Sequence, residues 1–66
     1  MKVNASKIEY LMWSKLWTRK ELAKHAGVSG LTISNTLNKG ICSTNTARGI
    51  AAALGVKPIE IIAKGA

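Results

Sequence analysis

The sequence predicts an all-α fold, a compact five-helix bundle, and three observations predict it. Apolar residues recur at helical spacing, and no segment alternates with period two over a useful length. Asn4, Thr18, Ser29 and Ser43 each precede an apolar-periodic stretch, where a side-chain oxygen can cap a helix start. Gly27, Gly40 and Gly55 follow such stretches, where a left-handed residue ends a helix. No repeat or low-complexity tract interrupts them. The 66 residues make one domain, residues 1–66, near the lower limit for a chain that folds alone. A core of this size rarely supplies more than ~3–5 kcal/mol, so dimerisation or a ligand is expected to help.

The first helix is expected over 5–15, capped by Asn4, with Val3 and Ile8 as a hydrophobic staple. Its core arc contains Ile8, Leu11, Met12, Leu16 and the stem of Lys15, with Tyr10 and Trp13 on the opposite side. Trp13 either covers another helix's edge or marks a partner-binding patch. The second helix is expected over 19–26. Thr18-Arg19-Lys20-Glu21 is a capping box, Trp17 and Leu22 are its staple, and Leu22, Ala23 and Ala26 face inward. Arg19 and Lys20 occupy the first turn, where positive charge opposes the helix dipole at a small cost. A phosphate bound at that N-terminus would justify the placement, and phosphate contact is the favoured reading for Arg19. For Lys20 a solvated charged turn competes with it equally.

The third helix is expected over 30–38. Ser29 caps it through the N–H of Leu31 or Thr32, Val28 and Ile33 staple it, and Gly40 ends it. Only Gly27 to Ser29 separates it from the second helix, which is the signature of a helix-turn-helix. At about 100° per residue, Ile33 and Leu37 point inward with Thr36 beside them. Gly30, Leu31, Ser34, Asn35 and Asn38 point outward and include no carboxylate. A helix entering a groove walled by phosphates needs that composition, because Asp or Glu would be repelled. The fourth helix, 44–54, has Ser43 as cap and Ala47, Ile50, Ala51 and Leu54 inside. The fifth, 58–63, starts on Pro58 with Glu60 in its first turn. Ile59, Ile61 and Ile62 exceed the apolar need of one short helix, so they plug the core, form a dimer contact, or do both.

Ten Lys and Arg against three Glu leave a net charge of +7, which makes polyanions the first partners to consider. The cations (Lys2, Lys7, Lys15, Arg19, Lys20, Lys24, Lys39, Arg48, Lys57, Lys64) are dispersed, as on a folded basic surface rather than a basic tail. One cysteine, Cys42, excludes an intrachain disulfide framework and suits a reducing cytoplasm. The longest apolar run, Gly49–Val56, falls far short of a bilayer span, and Met1-Lys2-Val3 opens no signal peptide. The expectation is a soluble cytoplasmic chain, nucleoid-associated, with no membrane contact.

Catalysis finds little support. His25 is the single imidazole, expected exposed in the last turn of the second helix. Cys42 has no base beside it in sequence, and one His with one Cys cannot complete a tetrahedral metal set. The glycines read as helix stops rather than a phosphate loop. No enzyme activity, metal, cofactor or small-molecule ligand is expected.

Leu22-Ala23, Ala26-Gly27-Val28-Ser29, Thr32-Ile33-Ser34 and the closing Ala51, Leu54, Gly55 and Val56 resemble the Xre/Cro family of phage-repressor-like DNA-binding domains. The resemblance runs from about Ile8 to Ile62, and the ordered set across five helices is its specific feature. Ala26–Asn38 also resembles the helix-turn-helix of the Lac-repressor family, which lacks a helix corresponding to Asn4–Lys15. The phage-repressor resemblance implies a lambda-repressor-like fold that docks its third helix in the major groove, as a homodimer on a palindromic double-stranded DNA site. It implies a transcriptional regulator, a repressor of phage or mobile-element origin. Residue by residue, it implies base-edge or phosphate contacts from Ser29, Gly30, Leu31, Thr32, Ser34 and Asn35. It implies phosphate contacts from Arg19, with Lys20 beside it, and from Asn38, Lys39 and the Ile41–Asn45 connection, which includes Ser43 and Asn45. Ile59 and Ile62 are the candidate dimer contacts.

The sequence departs from the family where Gln or Arg often stands, at Gly30 and Leu31. Gly30 offers backbone alone and Leu31 an apolar contact such as a thymine methyl, which leaves Asn35 to pair bidentately with adenine. Direct readout is therefore expected to be sparse, with phosphate positioning and DNA deformability carrying more. The competing function is a protein-binding adaptor or antirepressor built on the same fold.

Overall fold

The four polar caps set the helix starts. In the computed structural model, which describes residues 1–63, Asn4 Oδ1 accepts from the Lys7 N–H at 3.1 Å and opens α1 (Ala5–Ser14). Thr18 and Glu21 exchange backbone bonds as a capping box and open α2 (Arg19–Ala26). Ser29 Oγ accepts from the Thr32 N–H at 3.1 Å and opens α3 (Gly30–Lys39). Ser43 does the same for Thr46 at 3.2 Å and opens α4 (Thr44–Leu54). Glu60 accepts from the Lys57 N–H at 2.9 Å at the start of α5 (Pro58–Ile61). Gly27, Gly40 and Gly55 end α2, α3 and α4 at φ of +75°, +68° and +73°, a conformation that costs an L side chain about 1–2 kcal/mol.

The inward faces of all five helices meet in one core. Ile8, Met12, Leu22, Ile33, Ile50 and Ile61 are wholly buried, and Thr36 lies beside Ile33 and Leu37 on the inner side of α3. α2 packs on both α3 and α4, and α3 also packs on α1, so the two helices of the helix-turn-helix are backed by α4 and α1 in turn. The α2–α4 crossing depends on Gly49. A Cβ there would lie 2.6 Å from the Ala26 carbonyl oxygen. The reading of the glycines as helix stops is thus corrected at Gly49, which lies inside α4, where the backbone of α2 leaves no room for a side chain.

Two further expectations are corrected. Leu16 and the stem of Lys15 do not join the core arc of α1. The helix ends at Ser14, Leu16 turns left-handed at φ +60°, and its side chain is 85% exposed. The Trp17 N–H then bonds back to the Met12 carbonyl at 3.1 Å, and Trp17 rather than Leu16 packs against the core. The last helix stops at Ile61 instead of running to residue 63, because Ile62 is extended and pairs with Val3. Lys64 lies outside the described residues.

Residues 1–4 run as an extended tie between the end of α3 and the end of α5. The Val3 N–H donates to the Gly40 carbonyl at 2.9 Å, the Asn4 N–H to Ile61 at 2.7 Å, and the Ala63 N–H to Lys2 at 3.1 Å. Val3 is buried within the core. Its contribution to the staple with Ile8 is therefore also a contribution to closing the bundle.

Leu16 stores removable strain. Leu16→Gly is expected to raise stability by about 0.5–1 kcal/mol, because glycine accepts the left-handed turn and the lost side chain packs on nothing. Thermal unfolding should show a melting point higher by several degrees. A lower melting point would mean that Leu16 makes a stabilising contact after all.

Candidate nucleic-acid interface

α3 is ten residues long, about 15 Å, and its outward face is open. Leu31 is 72% exposed, Gly30, Asn35 and Asn38 are exposed, and Ser34 is half-buried. Thr32 is half-buried as well, and its hydroxyl lies 2.9 Å from the Ser29 hydroxyl that caps its own N–H. Both hydroxyls thus take part in starting the helix. At the first residue of α3, a Cβ built on Gly30 meets nothing within 4 Å. The fold leaves this position free of steric demand.

The start of α2 flanks that face. Lys20 and Lys24 share a groove of about 470 Å³ with Glu21, Val28 and Gly30, between α2 and the start of α3. Arg19, exposed at the first position of α2, has its guanidinium 3.9 Å from the Glu9 carboxylate of α1. Both side chains are about 40% exposed, and an ion pair in such surroundings contributes at most about 1 kcal/mol. Its consequence is orientation: Glu9 holds Arg19 against α1, an interaction that the nine residues between them do not announce. On the other side of α3, Lys39, Ser43 and Asn45 are exposed around the connection to α4. Ser43 donates its hydroxyl to Thr46 Oγ1 at 3.0 Å while capping α4.

The charge pattern follows from these contacts. Every described Lys and Arg is exposed. Each carboxylate has a partner: Glu9 lies against Arg19, Glu21 bonds the N-cap of α2 beside Lys20 and Lys24, and Glu60 bonds that of α5. No negative group stands on α3 to oppose an approaching polyanion.

The remaining candidates lie apart from this face. Ile61 plugs the core, whereas Ile59 is 63% exposed and Ile62 half-buried; these two line a groove of about 530 Å³ with Asn4, Lys7 and Glu60. The surplus of isoleucines is therefore divided between the core and the surface. Tyr10 and Trp13 stand exposed on α1, and Trp13 covers no neighbouring helix closely enough to bury more than half of its surface. His25 is exposed in the last turn of α2, and it also stacks on Trp17 with ring centroids 4.1 Å apart and planes 4° from parallel. Lys15 Nζ lies 5.4 Å from the Trp17 ring centroid. His25 thus clamps the α1–α2 turn against α2, a tertiary contact beyond its dipole placement. Burial pushes the Cys42 thiol above its ordinary pKa, which keeps it protonated and weakly nucleophilic. Among the described residues, no helix is long and apolar enough to cross a membrane.

Neither a curated protein nor a solved structure matches the chain. A family model does, over residues 7–63, from the first helix to the residue after the extended Ile62. With two helices joined by a three-residue turn within a five-helix bundle, the chain belongs to the Cro/C1-type HTH DNA-binding domains.

Proposed function

We propose that this domain is a sequence-specific transcriptional repressor that lays α3 in the major groove of double-stranded DNA. The single observation that carries the reading is the exposed, carboxylate-free face of α3, bordered by exposed cations. Ser29, Gly30, Leu31, Thr32, Ser34 and Asn35 meet base edges, with Asn35 the one side chain suited to bidentate pairing with adenine. Arg19, Lys20, Asn38, Lys39, Ser43 and Asn45 meet phosphates and set the register. Two copies bind a palindromic site, joined through Ile59 and Ile62, with half-site centres about one DNA turn (~34 Å) apart.

Salt dependence tests this reading against an adaptor or antirepressor that uses the same face for a protein. Three cations per protomer, Arg19, Lys20 and Lys39, make six phosphate contacts in a dimer. The log–log slope is then about −5, and affinity for a duplex selected from a random pool falls about 10³-fold between 50 and 200 mM salt. A nearly flat dependence would favour the protein-binding alternative. Sedimentation of the same complex should give two chains per site, and a monomer both free and bound would remove the dimer.

A further inference from the structure

The first turn of α3 carries a specific kind of chemistry, which rests on the DNA-binding reading above and refines it. We propose that Leu31 makes α3 a reader of the pyrimidine C5-methyl group. Thymine and 5-methylcytosine are then accepted at one position of each half-site, and uracil and cytosine are discriminated against. Three features of the structure converge on this. Leu31 is 72% exposed, so its isobutyl group is available rather than spent on the core. Its neighbour Gly30 has no side chain, and the space around that position is empty. Nothing on the preceding residue holds the helix end away from a base edge. Ser29 and Thr32, the flanking hydroxyls, lie 2.9 Å apart and close the N-cap together. Between them Leu31 is the exposed apolar side chain of the first turn.

The apolar group that the four bases offer in the major groove is the thymine C5-methyl. Methylation of cytosine at C5 places the same group at the same ring position, so an apolar side chain responds to it in the same way. Asn35 completes the pattern. It lies four residues after Leu31, one turn further along the same face, with Cβ atoms about 5–6 Å apart. That spacing is somewhat under two base-pair steps of ~3.4 Å. A half-site is therefore expected to hold a 5-methylpyrimidine one or two steps from an adenine.

The test begins from a duplex selected from a random pool by the wild-type protein. Each thymine is replaced in turn by deoxyuridine, which removes the methyl and preserves Watson–Crick pairing. Binding of wild type and Leu31→Ala is then compared. One thymine per half-site should cost the wild type about fourfold in affinity, the value of one buried carbon, and should cost Leu31→Ala nothing measurable. At that same position, 5-methylcytosine should bind the wild type about fourfold better than cytosine. Leu31→Ala should melt where the wild type does, because the side chain contributes little to the core. If the wild type selects a site but tolerates deoxyuridine at every thymine, or if both proteins lose affinity equally, Leu31 is not a methyl reader while DNA recognition stands. If the wild type enriches no duplex at all, the regulator reading falls with it.

Discussion

Gly49→Ala is expected to destabilise the domain by about 1–3 kcal/mol, although the same change in an exposed helix interior gains about 1 kcal/mol. The added methyl would sit 2.6 Å from the Ala26 carbonyl oxygen, and the obstacle is backbone, which cannot rotate aside. α2 and α4 would have to separate by several tenths of an ångström, opening voids around Leu22, Ile50 and Ala51. In a domain whose core supplies ~3–5 kcal/mol, that is a large share. Thermal or urea unfolding should show a melting point lower by about 5–20 °C. Gly30→Ala is the control, since its methyl meets open space and should leave the melting point within a few degrees. A Gly49→Ala protein as stable as the wild type would mean that α2 and α4 do not cross this closely. Because α2 carries Arg19 and positions α3, the same variant should also lose DNA binding as it unfolds.

Arg19→Ala and Asn35→Ala should weaken DNA binding in different ways. In the proposed docking Arg19 meets a phosphate, which every sequence presents, so its removal is expected to weaken cognate and scrambled duplexes alike and to flatten the salt slope by about 1 per protomer. In the same proposal Asn35 meets a base edge. Its removal should cost about 1–3 kcal/mol on the cognate site, roughly 5- to 150-fold, and should relax preference at one position without changing the salt slope. Competition binding with both duplexes at two salt concentrations separates the two patterns. Equal losses on cognate and scrambled DNA for both variants would overturn this division of labour. Glu9 adds a refinement for Arg19: with its carboxylate 3.9 Å from the guanidinium, part of the Arg19→Ala effect reflects a pair that DNA must compete with or incorporate.

The helix starts and stops were legible in the sequence because they are local. A cap hydroxyl reaches a backbone N–H three residues on, and a left-handed glycine acts on the turn just before it. Asn4, Thr18, Ser29, Ser43, Gly27, Gly40 and Gly55 accordingly occupy the places that their spacing assigns. The two faces of α3 follow from periodicity in the same way, and with them the residues available at the candidate interface. Leu16 shows where periodicity misleads. Its spacing from Met12 fits the core arc, but a left-handed turn without glycine moves Trp17 into that role.

The amino-acid sequence by itself determined the five helices, the turn between the second and third, and the chemistry of the exposed face of α3, all set by interactions spanning at most about five residues. Only the tertiary structure decided which distant groups meet: Gly49 beneath the Ala26 carbonyl, Glu9 against Arg19, His25 on Trp17, and Val3 paired with Ile62. These contacts depend on how helices cross and where the chain returns, and each joins residues whose separation along the chain carries no periodic signal. The crossing angle of two helices is chosen by the whole core at once, so no single stretch of sequence records it.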